Sequence, residues 1–280
     1  MFNSLIDVRE FESARDAPDW VVIDCRYQLL DPGAGYRAYL QGHIPGAQYA
    51  HLHDHLSGVP STDHGRHPLP TPGRLTQVFS EFGIAPATQV IVYDDAGGSI
   101  AGRLWWMLQY MGHRKAALLD GGWQAWLGLG VDPEPGESHR QPVHFAGSPD
   151  PRMLVQLDEI GHLPLLLDSR DPARYAGETE TMDPVAGHIP GAPNYFWQRN
   201  LDSSGRFLPA NQLRQQLLSC YGPVDADAVT FYCGSGVSAC HNVLAAAAAG
   251  LPAPRLYVGS WSEWCADPAR PVAKGHATGP

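Results

Sequence analysis

The chain has 280 residues, 44% of them hydrophobic, and a net charge of −10 at neutral pH. That length supports two domain cores. Lys and Arg form no basic block, and no apolar run approaches the ~18 residues of a membrane span, so neither nucleic acid nor membrane is an expected partner. The first residues, MFNSLIDVREFESARD, carry charges inside their apolar stretch and do not read as a secretory signal. Five cysteines, Cys25, Cys220, Cys233, Cys240 and Cys265, show neither a disulfide framework nor zinc-ligand spacing. The expected compartment is therefore a reducing cytoplasm, with no metal.

Taken in chain order, the segments come twice. WVVIDCR (20–26) is a strand pattern that ends on an acid and an arginine, and GHIPGA follows at 42–47. GRHPLP (65–70), a second apolar run VIVYD (90–94), a helical stretch (100–111) and LLDGGWQAW (118–126) complete the first set. The second set begins after a Pro- and Gly-rich stretch. It runs LLLDSR (165–170), GHIPGA (187–192), GRFLP (205–209), VTFYC (229–233), a helical stretch (237–249) and LYVGSWSEW (256–264). Asp24 thus matches Asp168, His43 matches His188, Asp94 matches Cys233, and Trp123 matches Trp261. A collinear repeat this long is a duplicated domain, not a solenoid unit. We place the domains at 1–130 and 151–280, with 131–150 as the linker. Unalternated apolar runs alternating with helices predict an α/β fold in each copy, a mainly parallel sheet flanked by helices. In such sheets ligands sit at the carboxyl ends of strands, where Asp94 and Cys233 both fall.

The segment after Cys233 points to chemistry. A strand ends at Cys233, Gly234 and Gly236 follow, and a helix is expected to start near Val237. Successive N–H groups in such a turn form an anion-binding nest, and the helix start adds positive potential. Both favour a thiolate over a thiol. A buried packing thiol is the alternative for Cys233, and it is the expected role of the other four cysteines. Cys240 also lies where a regulatory disulfide with Cys233 is conceivable.

The two GHIPGA motifs, CGSGVSA at 233–239 and GSWSEW at 259–264 together resemble the tandem-domain rhodanese family, which contains the thiosulfate and 3-mercaptopyruvate sulfurtransferases. The resemblance covers nearly the whole chain. It implies two rhodanese-like domains, of which the first, with Asp94 in place of the cysteine, is catalytically inactive. It also implies a two-step reaction without a cofactor. Cys233 takes a sulfane sulfur from a small anionic donor as a persulfide, and a thiol, cyanide or a thioredoxin-like dithiol removes it. The amides of Gly234, Ser235, Gly236, Val237, Ser238 and Ala239 are then the loop that holds the charged sulfur. The Ser235 and Ser238 hydroxyls either donate to it or serve the turn and the helix cap.

By the same resemblance Arg174, in DPARYAG, matches a donor-binding arginine, with a solvated helix-end arginine as the alternative. Arg170 is expected to pair with a carboxylate in the structural frame. The stretch 177–191 departs from the mercaptopyruvate enzymes, because it lacks their second arginine. The CGSG loop resembles them, and the donor stays open between 3-mercaptopyruvate and thiosulfate. His43 matches a histidine of a proton relay, or it ties down the HIPG turn. Arg66 and His67 either face the site or fix their loop, and Trp261 either walls the pocket or packs the core. A related phosphatase needs an arginine six residues after the cysteine, where Ala239 stands. The remaining rival is a sulfur-relay or regulatory module that binds proteins. The duplication supplies an internal pseudo-dimer, so a monomer is expected.

Overall fold

The computed structural model describes residues 1–61 and 64–276. The first sheet contains β1 (Leu5–Ile6), β2 (Trp20–Asp24), β3 (Gln48–Tyr49), β4 (Gln89–Tyr93) and β5 (Ala116–Leu119). Its order is β1-β5-β4-β2-β3 and its strand pairings are parallel. The second sheet contains β6 (Leu154–Val155), β7 (Leu165–Asp168), β8 (Val229–Tyr232) and β9 (Arg255–Tyr257). It is parallel too, in the order β6-β9-β8-β7. The duplicated α/β reading therefore holds. Every residue of β4 and of β8 is buried, as strands covered on both faces require.

The two helical stretches expected after the central strands are Ala101–Tyr110 and Ala239–Ala248. All ten residues of the first are buried, the polar Arg103 and Gln109 among them, so this helix presents no polar face to solvent. The second starts two residues later than the sequence suggested. Residues 234–238 form a bend that precedes the first helical hydrogen bonds. Among the described residues no helix is long and apolar enough to cross a membrane.

The chain divides into two units. The first comprises Met1–Ser57, Pro70–Asp150 and Leu201–Phe207, and the second Gly58–Leu69, Pro151–Asn200 and the chain from Leu208 onward. The stretch 131–150 packs within the first unit. The Glu134 carbonyl accepts from the His43 N–H at 3.0 Å, and the Asp150 N–H donates to the Tyr110 carbonyl at 2.8 Å.

One buried network recurs in each unit and explains which residues the repeat retains. In the first unit Arg26 Nη2 donates to Asp24 Oδ2 at 2.6 Å and to the Gly42 carbonyl at 2.7 Å. Tyr93 Oη donates to Asp24 Oδ2 at 2.7 Å and accepts from the Ile44 N–H at 3.2 Å. In the second unit Arg170 Nη2 donates to Asp168 Oδ2 at 2.6 Å and to the Gly187 carbonyl at 2.7 Å. There the Tyr232 hydroxyl accepts from the Ile189 N–H at 3.2 Å. The acid at the strand end, the arginine two residues on, the GHI turn and the tyrosine of the next strand are thus one buried unit of structure. Such a group tolerates no missing partner, because each buried polar atom depends on the others.

Candidate active site

Cys233 follows directly on β8 and is 2% exposed. Its main chain is held from the turn after β9. Its N–H donates to Ser260 Oγ at 3.1 Å, and its carbonyl accepts from the Trp261 N–H at 3.0 Å. The Gly234 carbonyl accepts from the Ser262 N–H at 2.9 Å. Gly236 has φ +73°, and a Cβ there would lie 2.3 Å from the Val258 carbonyl oxygen. Only glycine fits that backbone and that space. Cys240 donates its thiol proton to the Gly236 carbonyl at 3.3 Å and so braces the loop from the first helical turn.

The first unit shows what such a loop holds. The Asp94 carboxylate, buried after β4, accepts four main-chain N–H groups. Oδ1 takes Ala96 and Gly98 at 2.9 and 2.8 Å, and Oδ2 takes Ile100 and Ala101 at 2.9 and 2.8 Å. This is an anion cradle filled by its own side chain. At the matching strand end the second unit carries a cysteine.

Gly234 marks where charge gathers. A Cβ on it would lie 3.1 Å from Arg66 Nη2 and 3.6 Å from Arg174 Nη1. The donor-binding candidate Arg174 is therefore beside the loop, and Arg66 is beside it too. Both arginines are tied to a carboxylate pair on the stretch 180–183. Arg174 Nη2 donates to Glu180 Oε1 at 2.9 Å and to Asp183 Oδ2 at 3.2 Å, and Arg66 pairs with Asp183 Oδ1. Burial pushes the Asp183 carboxyl up, against the opposing pull of Arg66 and Arg174. Burial also pushes Glu180 up, but the Met182 N–H and Arg174 outweigh it and hold this carboxyl below its ordinary value. The Nε atoms of Arg66 and Arg174 are buried and, among the described residues, lack a hydrogen-bond partner.

Of the remaining loop residues, Ser235 is 6% exposed and its Oγ lies 2.7 Å from His67 Nδ1. The imidazole that touches the loop is thus His67. His43 lies in the first unit with Nδ1 2.9 Å from the Tyr39 carbonyl, and its ring stacks on Tyr39. His188 holds the same position in the second unit, 2.9 Å from the Tyr175 carbonyl and stacked on Tyr175. That correspondence is a turn anchor present in both copies. Ser238 precedes the helix without a side-chain cap bond, and Val237 and Ala239 are buried. Trp261, expected at the pocket wall or in the core, is fully buried in the second unit's core, where its indole N–H donates to the Val185 carbonyl at 2.9 Å. Cys25, Cys220 and Cys265 are held as neutral thiols. Burial pushes the Cys25 thiol well up, and it raises Cys220 and Cys265 to about 11.

The sequence reading did not single out Ser260, Glu180 or Asp183. Ser260 had a signal. In the repeat it stands opposite Gly122 of GGW, a serine where the other copy needs a glycine.

A model of the rhodanese-like domain matches residues 7–129 and 152–267. A probable 3-mercaptopyruvate sulfurtransferase of Pseudomonas aeruginosa is 45% identical, over 97% of this chain and 98% of that protein. A putative thiosulfate sulfurtransferase of Mycobacterium tuberculosis is 40% identical, over 98% of each. The solved structure of 3-mercaptopyruvate sulfurtransferase from Leishmania major superposes with a TM-score of 0.83 at 31% identity, over 93% of this chain and 74% of that one. Duplicated sheets, duplicated buried frames and a cysteine at the second strand end all agree with these matches: the chain belongs to the rhodanese family, in its two-domain sulfurtransferase form.

Proposed function

We propose that this sulfurtransferase forms a persulfide on Cys233 and that 3-mercaptopyruvate, rather than thiosulfate, is its preferred donor. The observation that carries the reading is the meeting at Gly234 of the Cys233 loop with the guanidiniums of Arg66 and Arg174. The stretch 177–191 has no second arginine, but Arg66 supplies one from another part of the second unit. Two forked donors suit a carboxylate and its neighbouring carbonyl.

In the first half-reaction the Cys233 thiolate attacks the donor sulfur. An S–S bond forms and the donor's C–S bond breaks, with its electron pair left on carbon as the enolate of pyruvate. The enolate takes a proton, and the Ser235 hydroxyl with the His67 imidazole, 2.7 Å apart beside the cysteine loop, is the pair assigned to deliver it. The loop amides of Gly234 to Ala239 hold the persulfide charge, in the way the first unit's loop holds Asp94. In the second half-reaction a thiol, cyanide or a thioredoxin-like dithiol attacks the outer sulfur and restores the Cys233 thiolate. No step calls for a metal or an organic cofactor. The first domain, with Asp94 in its cradle, takes no part in bond making. We place the enzyme in the cytoplasm, which its few cysteines without a disulfide framework fit, and as a monomer, because the duplication already supplies an internal pseudo-dimer.

A side-by-side rate comparison tests the donor. The expected result is a higher kcat/KM with 3-mercaptopyruvate than with thiosulfate. Replacement of Arg174 by alanine is expected to raise the KM of the better donor by about 10- to 100-fold, as loss of a charge-assisted fork does. A faster reaction with thiosulfate overturns the donor assignment, and an unchanged KM removes Arg174 from donor binding.

A further inference from the structure

Among the described residues one non-glycine residue has a positive φ, and it is Ser260 at +56°. L side chains avoid this region, because Cβ crowds the following carbonyl. Strain of this kind persists where the surroundings impose it, and it gathers at functional sites. Ser260 is fully buried and touches the reactive residue. Its Oγ accepts the Cys233 N–H at 3.1 Å and donates to the Tyr257 carbonyl at 2.9 Å.

The other copy of the domain serves as a control. The matching residue, Gly122, has φ +52°, and the next residue, Trp123, donates its N–H to the Asp94 carbonyl at 2.9 Å. Trp261 makes the same bond to the Cys233 carbonyl at 3.0 Å. The backbone course is therefore shared, and a glycine satisfies it in the first unit. A Cβ on Gly122 would lie 2.2 Å from the Asp94 carbonyl oxygen, so the first unit has no room for one. The second unit makes room and accepts a conformation that glycine would adopt without strain. What the serine adds is the hydroxyl.

We infer that Ser260 is a positioning residue for Cys233. Its hydroxyl satisfies the Cys233 N–H and, with the Trp261 N–H on the carbonyl, fixes both main-chain polar groups of the cysteine. That sets the Cα–Cβ direction, so the sulfur is presented to the loop amides and to the two arginines. Ser260 acts through Cys233 and has no contact with the donor. The inference rests on Cys233 as the nucleophile.

Two variants test it. Ser260→Gly keeps the backbone course, removes the strain and deletes the hydroxyl, and Ser260→Ala keeps the strain and deletes the hydroxyl. Alkylation of Cys233 by iodoacetamide at one fixed pH, followed by mass spectrometry, reads how the sulfur is presented without any sulfur donor. For Ser260→Gly the expected results are a melting temperature above that of Ser260→Ala, because glycine relieves the strain, and alkylation of Cys233 about tenfold slower than in the parent. Persulfide formation should slow by about tenfold or more at nearly unchanged donor KM. Ser260→Ala should show the same chemical losses with a lower melting temperature. If Ser260→Gly keeps the parent's alkylation rate and persulfide rate, Ser260 only fills space and the inference is overturned. Failure of the parent protein itself to gain sulfur on Cys233 from either donor is a different outcome, which overturns the persulfide reading and leaves the alkylation result standing.

Discussion

Replacement of Cys233 by serine is expected to abolish sulfur transfer, with a loss of at least about a thousandfold in kcat/KM for either donor. A hydroxyl at this position is not ionised near neutral pH and forms no bond to sulfur that an acceptor thiol can reopen. None of the other thiols can substitute. Cys25 is fully buried with its thiol pushed well up, and Cys220 and Cys265 are raised to about 11 by burial. Cys240 is committed to the Gly236 carbonyl. Intact-protein mass spectrometry after exposure to donor checks the assignment directly. The parent gains the mass of one sulfur atom, and the serine variant gains none. Transfer that survives in the variant places the persulfide elsewhere, and the role of the loop collapses with it. A relay module predicts a different pattern, in which the persulfide forms normally but turnover with small thiols stays slow until a protein dithiol is supplied.

The fold was legible because the repeat preserves a network and not merely a pattern. Asp24, Arg26, Gly42, Ile44 and Tyr93 are joined by hydrogen bonds, and Asp168, Arg170, Gly187, Ile189 and Tyr232 repeat them at the same places. A residue that must satisfy a buried partner resists drift, so its spacing survives in the sequence. Cys233 and its glycines were legible for a local reason, since strand end, loop and helix start are consecutive. The remainder of the site is non-local. His67 meets Ser235 across 168 positions, and Arg66 meets Asp183 across 117. No periodicity encodes such meetings. His43 drew attention because its motif is conspicuous, yet its bonds are those of a turn anchor, shared with His188. The strain at Ser260 was hidden for another reason. A serine before a tryptophan looks ordinary until the glycine at the matching position shows what the backbone requires there.

Arg170→Met is expected to cost the protein about 3–5 kcal/mol, the range for removing one partner of a buried ion pair. Both side chains are nearly inaccessible, at 1% for Arg170 and 0% for Asp168. Burial alone would pull the arginine toward neutrality, but the Asp168 carboxylate outweighs it and keeps the guanidinium charged. Methionine matches the volume of the arginine stem and removes every donor. It leaves the Asp168 carboxylate buried without its cation and the Gly187 carbonyl without Nη2. It also ends the cation–π contact over Trp261, whose ring lies 4.9 Å from the Arg170 guanidinium carbon. Because Trp261 and Ser260 hold the main chain of Cys233, damage to the frame passes directly into the site. Differential scanning calorimetry should show the second unit's transition lowered by roughly 10 °C, from about 2–4 °C per kcal/mol for a protein of this order of size. Addition of Asp168→Leu should recover part of the loss, since it removes the stranded carboxylate, and two sites in direct contact do not add independently. If the single variant melts with the parent, the paired charges contribute nothing to stability, and the retention of this motif in both copies needs a different physical cause.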